Sequence, residues 1–196
     1  IASGARMATA EASQRAAHVE DLRRCIDLAG DLGSGYVRVF GGPRDQESEL
    51  SALVDYTADG FAQVMEQAAS QGITLLMETH DDWCASDEVR AVIDKVSHPN
   101  LAVLWDFMHT QRVREQPQDS FQALGELTRH THIHDGTEEG GLKIGALRQG
   151  VFHNTTPARL LEDIGYTGFY SVEVIFARGS DHDSDAVLAQ HAQVFR

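Results

Sequence analysis

Four residues with metal-binding side chains stand at or near the carboxyl ends of separate apolar segments, at intervals of 28, 28 and 39 residues. They are Glu78, Asp106, His134 and Glu173. Three carboxylates and one imidazole form an oxygen-rich, anionic ligand set, which suits Mn²⁺, Mg²⁺ or Co²⁺ and also accepts Zn²⁺. An octahedral ion held by four protein ligands keeps two places for substrate oxygens or water. We therefore expect one divalent metal ion at this set.

Asp106 directly follows the apolar segment Leu101–Trp105. A continuous apolar run without alternation is typical of a parallel strand covered on both faces, and a carboxylate inside such a core would lack partners. We therefore expect Asp106 to project from the strand end into a site. His109, three residues later, is expected to contact substrate or to support a ligand. The alternative for His109 is a histidine at a helix start that hydrogen-bonds to the backbone.

The apolar pattern alternates between helical and extended periods along the chain. Helices are predicted over residues 11–32, 47–70, 86–96, 120–127, 157–164 and 184–194. Strands are predicted over residues 36–40, 73–77, 101–105, 131–134, 142–145 and 169–175, and residues 1–6 are interpreted as the end of a further strand. This alternation predicts an α/β fold with a parallel sheet. Units of roughly thirty residues, without a GxGxxG motif after any strand, favour a (β/α)8 TIM barrel over a doubly wound sheet.

A TIM barrel usually needs ~250 residues, and this sequence has 196. We therefore expect a single barrel domain over residues 1–196 that lacks the first strand, the first helix and most of the second strand. In a barrel the carboxyl ends of all strands face one mouth, where active sites are built. The four candidate ligands are expected to converge there although they are far apart in sequence.

Charge and cysteine usage exclude some classes of function. The 30 acidic residues outnumber the 16 basic ones, and the formal net charge is −14. This charge repels phosphate backbones and anionic lipid, which argues against nucleic-acid or membrane partners. The two cysteines, Cys25 and Cys84, form no CxxC pair, as expected in a reducing compartment. Without an apolar run near ~18 residues or a signal peptide, we expect a cytoplasmic protein. The sequence is compatible with either a monomer or a homo-oligomer.

At this point the chain resembles a known family, the sugar isomerase/epimerase-like (xylose isomerase-like) barrels, which are relatives of apurinic-site endonucleases. The segments that carry the resemblance are Glu78–Asp81, Trp105–His109, His132–Asp135, and Ser171–Glu173 after Gly165–Gly168. The resemblance implies one divalent ion bound by Glu78, Asp106, His134 and Glu173. In the ketose epimerase branch it further implies that Glu78 and Glu173 transfer protons on opposite faces of the substrate, while the metal polarises a carbonyl and a hydroxyl.

His132 and His134 alternate along one predicted strand, and only one of them is expected to face the mouth. The resemblance selects His134, so His132 is expected to pack on the other face. For Glu78 and Glu173 the alternative is a strand-end carboxylate paired with an arginine.

Other residues on strand ends or loops at the same mouth are candidates for substrate binding. They are Arg38, His80, Trp83, His109, Lys143, Arg148 and His153. The chain also departs from the family pattern. Ketose epimerases carry an arginine six residues after the metal-binding histidine, where this chain has Gly140, and the usual lysine after the sixth strand is absent. These departures leave the substrate class open.

The leading hypothesis is a metal-dependent isomerase or epimerase of a small sugar, keto-sugar or inosose, which acts by proton abstraction through a metal-stabilised enediolate. A dehydratase or lyase on a related polyol or keto acid would share the first step. A phosphodiesterase resembling the apurinic-site endonucleases is disfavoured by the net charge and because residues 146–153 lack an Asp-x-His pair. A sugar-binding barrel without catalytic activity is the remaining alternative.

Overall fold

A computed structural model describes residues 1–174 and 183–194 of the chain. The strands are β1 (Ala2–Arg6), β2 (Tyr36–Phe40), β3 (Thr74–Glu78), β4 (Leu101–Asp106), β5 (Thr128–Ile133), β6 (Asp135–Thr137), β7 (Lys143–Gly145) and β8 (Tyr170–Val172). The helices are α1 (Ala12–Leu32), α2 (Leu50–Ala62), α3 (Met65–Ser70), α4 (Ser86–Val96), α5 (Phe107–Arg112), α6 (Pro117–Leu124), α7 (Thr155–Asp163) and α8 (Ser184–Val194). No helix within these described ranges is long and apolar enough to cross a membrane.

Six strands form one sheet in the order β1-β2-β3-β4-β5-β8, and every neighbouring pair is parallel. Helices separate these strands along the chain, because parallel neighbours need a crossover connection of a dozen or more residues. The predicted α/β fold, a parallel sheet whose strands are joined by crossover helices, is therefore confirmed, with six strands in the described sheet. In the described sheet β1 and β8 are the two edges.

The predicted strand over residues 142–145 is not part of this sheet. It is β7, which pairs antiparallel with β6 in a separate hairpin. Gly140 and Gly141 adopt φ values of 72° and 105° in the connection, a conformation that side chains other than glycine rarely take. The chain therefore reverses directly after β6 instead of crossing over to a new parallel strand. The predicted strand over 169–175 is seen as β8, and Ile175 lies outside the described residues.

The central strand β4 is buried along its whole length, as predicted. Successive side chains alternate between the two faces of the sheet. Trp105 packs into the main core that the helices cover, whereas Ala102 and Leu104 form a smaller cluster with Leu76. Asp106 shares the face of Ala102 and Leu104, so the strand directs its carboxylate to the side of the sheet away from the helices.

Candidate metal centre

Three of the four predicted ligands come together with a residue that was expected to lie elsewhere. Asp106, His132, His134 and Glu173 form a four-residue group in which one possible ligand atom from each lies within 4.8 Å of the others. Asp106 and His132 are register partners in the parallel pair β4–β5, and Glu173 directly follows the adjacent strand β8. The carboxyl ends of three neighbouring strands thus supply the group.

The expectation that His132 packs on the opposite face of the sheet is wrong. Its Nδ1 lies 2.8 Å from Oε1 of Glu78 and 3.0 Å from Oε2 of Glu173. Residues two positions apart on a strand point to the same face, so His132 and His134 share a face. Ile133 between them takes the other face and packs into the main core.

Glu78 lies beside the four-residue group and is joined to it through His132. Its carboxylate is wholly buried, with Oε1 toward His132 and Oε2 accepting a hydrogen bond of 2.9 Å from Nη1 of Arg38. The Arg38 guanidinium in turn lies 3.9 Å from the centroid of the Phe40 ring. The alternative of a carboxylate paired with an arginine thus holds for one oxygen of Glu78, while the other faces the group.

Asp106 is fixed in place through both its backbone and its side chain. The buried Thr79 hydroxyl accepts a hydrogen bond of 2.9 Å from the Asp106 N–H and donates one of 3.2 Å to the Asp106 carbonyl. Oδ1 of Asp106 accepts the N–H groups of Met108 and His109 and so caps α5. These contacts leave Oδ2 directed at His134, 2.7 Å from its Nε2.

The buried polar atoms of the group fit a divalent ion. Oδ2 of Asp106 and both ring nitrogens of His134 are buried without a hydrogen-bond partner of acceptable geometry among the described residues, a costly state for polar atoms. Nε2 of His134 nevertheless lies 2.7 Å from Oδ2 of Asp106 and 3.0 Å from Oε2 of Glu173. Adjacent ligands of an octahedral ion with bonds of ~2.1 Å are separated by ~3 Å. This set, in which Asp106 and His134 are buried and His132 and Glu173 are half-buried, could therefore hold a metal ion.

The charges within the group strongly affect its pKa values. Burial by itself lowers the pKa of each histidine, but the neighbouring carboxylates outweigh it and raise the pKa to about 10 for His132 and about 9 for His134. The two imidazoles, each with a nitrogen 3.0 Å from Oε2 of Glu173, hold the pKa of that carboxyl well below its usual range. At neutral pH protons on the imidazoles therefore balance the carboxylates, and a bound cation would supply that positive charge in their place.

His109 lies next to the group, with its Nε2 3.8 Å from Oδ2 of Asp106. Its ring centroid is 6.0 Å from that of His134 and 4.4 Å from that of His80. Nη1 of Arg112 lies 3.2 Å from Nδ1 of His109. Because arginine only donates hydrogen bonds, Nδ1 must accept, which leaves the ring proton on Nε2. Burial lowers the pKa of His109, so the ring is neutral at pH 7.

Trp83 is wholly buried in the main core, so the expectation that it lines the pocket is wrong. Its ring lies so close to Gly41 that a Cβ there would stand 2.3 Å from Cδ1. The Arg44 guanidinium lies 4.7 Å from the centroid of the same ring. Trp83 thus packs the loop after β3 against the loop after β2.

Arg148 and His153 are not brought to the four-residue group, contrary to expectation. Both line a separate cavity of about 560 Å³ together with Ile133, whose side chain points away from the face of His132 and His134. Arg148 donates a hydrogen bond of 3.1 Å to the carbonyl of Val194 in α8. Lys143 is exposed on the hairpin strand β7. Of the predicted pocket residues, Arg38, His80 and His109 are the ones that lie near the group.

Comparisons with known proteins agree with this fold. Residues 1–196 match the xylose isomerase-like TIM barrel family. Over 117 residues the chain is 24% identical to a 3-dehydroshikimate dehydratase from Bacillus anthracis, and this alignment covers 59% of this chain and 42% of that protein. Over 161 residues it is 22% identical to a fructoselysine 3-epimerase from Shigella flexneri, and this alignment covers 79% of this chain and 57% of that protein. The chain spans about half the length of these curated relatives.

Among solved structures, the chain is similar to the IolI protein with a binding zinc atom. The TM-score is 0.87 at 14% sequence identity, and the alignment covers 100% of this chain and 73% of that one. The similarity confirms the fold.

Proposed function

The chain belongs to the xylose isomerase-like TIM barrel family, and from this premise we propose that it acts as a divalent-metal-dependent isomerase or epimerase of a small sugar, keto-sugar or inosose. The observation that carries the proposal is the set of buried ligand atoms on Asp106 and His134 that have no hydrogen-bond partner in the described part of the chain. They lie within reach of His132 and Glu173 at the carboxyl ends of adjacent strands. Buried polar atoms of this kind are costly unless they are paired or bind an ion.

Asp106, His134 and Glu173 would hold the ion together with Glu78, as the family resemblance implies, and the position of His132 adds a further ligand candidate. The three carboxylates of this set favour Mn²⁺, Mg²⁺ or Co²⁺, and the imidazoles make Zn²⁺ acceptable as well. When bound, the ion would polarise a substrate carbonyl and make the neighbouring C–H more acidic.

Glu78 and Glu173 would move the proton. Both carboxylates contact Nδ1 of His132, at 2.8 and 3.0 Å, so both lie beside the proposed centre. One carboxylate can accept a proton from carbon and the other can return a proton to the opposite face, which inverts that carbon. The hydrogen bond from Arg38 holds Glu78 in orientation for this transfer.

His109 would orient the substrate. Its neutral ring carries the proton on Nε2, 3.8 Å from Oδ2 of Asp106, so it can donate a hydrogen bond to a substrate oxygen beside the centre. His80, half-buried against His109, is the next candidate contact. Together they would fix which carbon faces the two glutamates.

A dehydratase is the second candidate function, because one relative is a 3-dehydroshikimate dehydratase. It would share the proton abstraction and differ in expelling a neighbouring hydroxyl as water instead of returning the proton. The same four residues and Glu78 would serve either reaction.

The test is proton exchange in D₂O. The protein supplied with Mn²⁺ is incubated with a panel of keto-sugars, inososes and keto acids, and the products are followed by NMR and mass spectrometry. An epimerase gives a product of unchanged composition that carries deuterium at the inverted carbon, whereas a dehydratase gives a product lighter by one water. Glu78→Gln should abolish exchange, and Glu139→Gln, at an exposed position, should not. Absence of exchange across the panel with the folded, metal-loaded protein would contradict the proposal.

A further inference from the structure

The segment Gly150–Asn154, which leads into α7, is hydrogen-bonded to both sides of the metal centre. Its first part is held by the buried carboxylate of Asp135, which accepts the N–H groups of Gly150 and Phe152 at 3.0 and 3.2 Å. Asp135 directly follows His134 in the chain. The segment is therefore fastened to the strand end that carries His134 before it reaches its last two residues.

Gln111 in α5 fastens the same segment to the helix that begins after Asp106. Its Oε1 accepts the N–H of His153 at 2.7 Å, and its Nε2 donates to the His153 carbonyl at 3.2 Å. Nε2 also donates to the carbonyl of Phe107 at 2.7 Å, one turn earlier in α5. The side-chain amide thus pairs with both backbone groups of one residue, which fixes its orientation.

Asn154 completes the connection on the other side. Its Nδ2 donates a hydrogen bond of 2.7 Å to the backbone carbonyl of His134. Asn154 is the N-cap residue of α7, where an asparagine side chain normally accepts a backbone N–H of its own helix, but it makes no such capping bond within the described residues. The Asn154 side chain therefore hydrogen-bonds to the strand end that carries His134 and does not cap α7.

We propose that Gln111 and Asn154 are positioning residues that fix the distance between Asp106 and His134 and thereby set the metal affinity of the centre. This inference rests on the proposed metal site. The connection runs from α5 through Gln111 to the backbone of His153, and through Asn154 to the carbonyl of His134. Such support should raise the affinity for the metal ion. It restricts the motion of the two ligand side chains, so that less conformational entropy is lost when the ion binds.

The test is Co²⁺ binding, followed by visible absorption and by competition with a chelating dye. Gln111→Met keeps the length of the side chain and removes both amide groups. Asn154→Ser keeps a good N-cap residue for α7 but is too short to reach His134. Gln118→Met, at an exposed position in α6, is the matched control. Metal-free melting temperatures are measured for every variant.

We expect each of the two variants to bind Co²⁺ at least about tenfold more weakly than the unaltered protein, with a changed absorption spectrum and nearly unchanged melting temperature. The control should match the unaltered protein. Equal affinity and spectrum in all four proteins would overturn the inference while leaving the metal site intact. A lower affinity with an unchanged spectrum and a matching loss of melting temperature would also overturn it. No Co²⁺ binding by the unaltered, folded protein would overturn the proposed function and this inference together.

Discussion

Nδ1 of His132 lies 2.8 Å from Oε1 of Glu78, although 54 residues separate the two in sequence. Through this contact a charged row crosses the strand ends, from Arg38 through Glu78 and His132 to Glu173. Oε2 of Glu173 lies 3.0 Å from a nitrogen of both His132 and His134. Glu173 is therefore the residue that links the Glu78 side of the site to the Asp106 side, and its loss should affect both.

Metal binding should release protons. In the metal-free protein the pKa is raised to about 10 for His132 and about 9 for His134, and a metal ligand must be deprotonated. Mn²⁺ affinity should therefore rise between pH 6 and pH 9, by up to about tenfold per pH unit for each displaced proton. Calorimetry in buffers of different ionisation enthalpy measures the proton count. An affinity that is flat over this range would contradict the expectation.

The same pKa values predict a loss of stability at alkaline pH in the metal-free protein. A histidine whose pKa is raised by folding contributes stability that is complete below about pH 6.5, the unfolded value, and is lost as the pH rises through the folded value. With folded values of about 9 and about 10 for His134 and His132, the melting temperature in chelator should fall by several degrees from pH 7 to pH 10.

Glu173→Gln removes one partner of both histidines and should flatten this decline. His18→Gln on α1 should leave the pH profile unchanged, since His18 lies away from the group in the fold. A Glu173→Gln protein with the full alkaline decline would show that these pairs do not set the pH dependence.

Thr79→Val should destabilise the fold around Asp106. Valine has nearly the shape of threonine but leaves the buried Asp106 N–H and carbonyl without the hydroxyl that now bonds both. The expected loss is ~1–3 kcal/mol in the free energy of unfolding, measured by urea denaturation. Thr137→Val, at an exposed position of β6, is the control and should change stability by less than ~0.5 kcal/mol.

Arg112→Met should remove the preference of the His109 ring for a single tautomer. The contact from Nη1 of Arg112 to Nδ1 of His109 places the ring proton on Nε2, and its loss should give a mixture of tautomers, visible in the ¹⁵N shifts of the ring. The exchange rate with substrate should fall by about tenfold. Arg114→Met is the control, because Arg114 also pairs with Glu138 but is largely exposed. Identical ring shifts in both variants would refute the assignment.

Much of the site could be predicted from sequence because strand ends in a parallel sheet meet at one edge. The buried run of β4 located Asp106, and Glu173 and His134 followed from the same pattern. His132 also obeys a simple rule, since residues two apart on a strand share a face, and the contrary expectation misapplied that rule.

Other features depend on information that local pattern does not carry. A large apolar ring such as Trp83 looks the same in sequence whether it lines a pocket or fills the core, and packing between two loops decided its place. Arg148 and His153 lie in a loop whose direction is set by hydrogen bonds to Asp135 and Gln111. Neither contact follows from hydrophobic periodicity.

The most direct test of the central claim is metal analysis after equilibrium dialysis against Mn²⁺. Asp106→Asn retains an oxygen that can cap α5 but removes the carboxylate charge from the centre, and Glu139→Gln is the control at an exposed position. The account predicts about one ion per chain in the unaltered protein and in the control, and greatly weakened binding in Asp106→Asn. No bound ion in the folded, unaltered protein, or equal binding by Asp106→Asn, would contradict it.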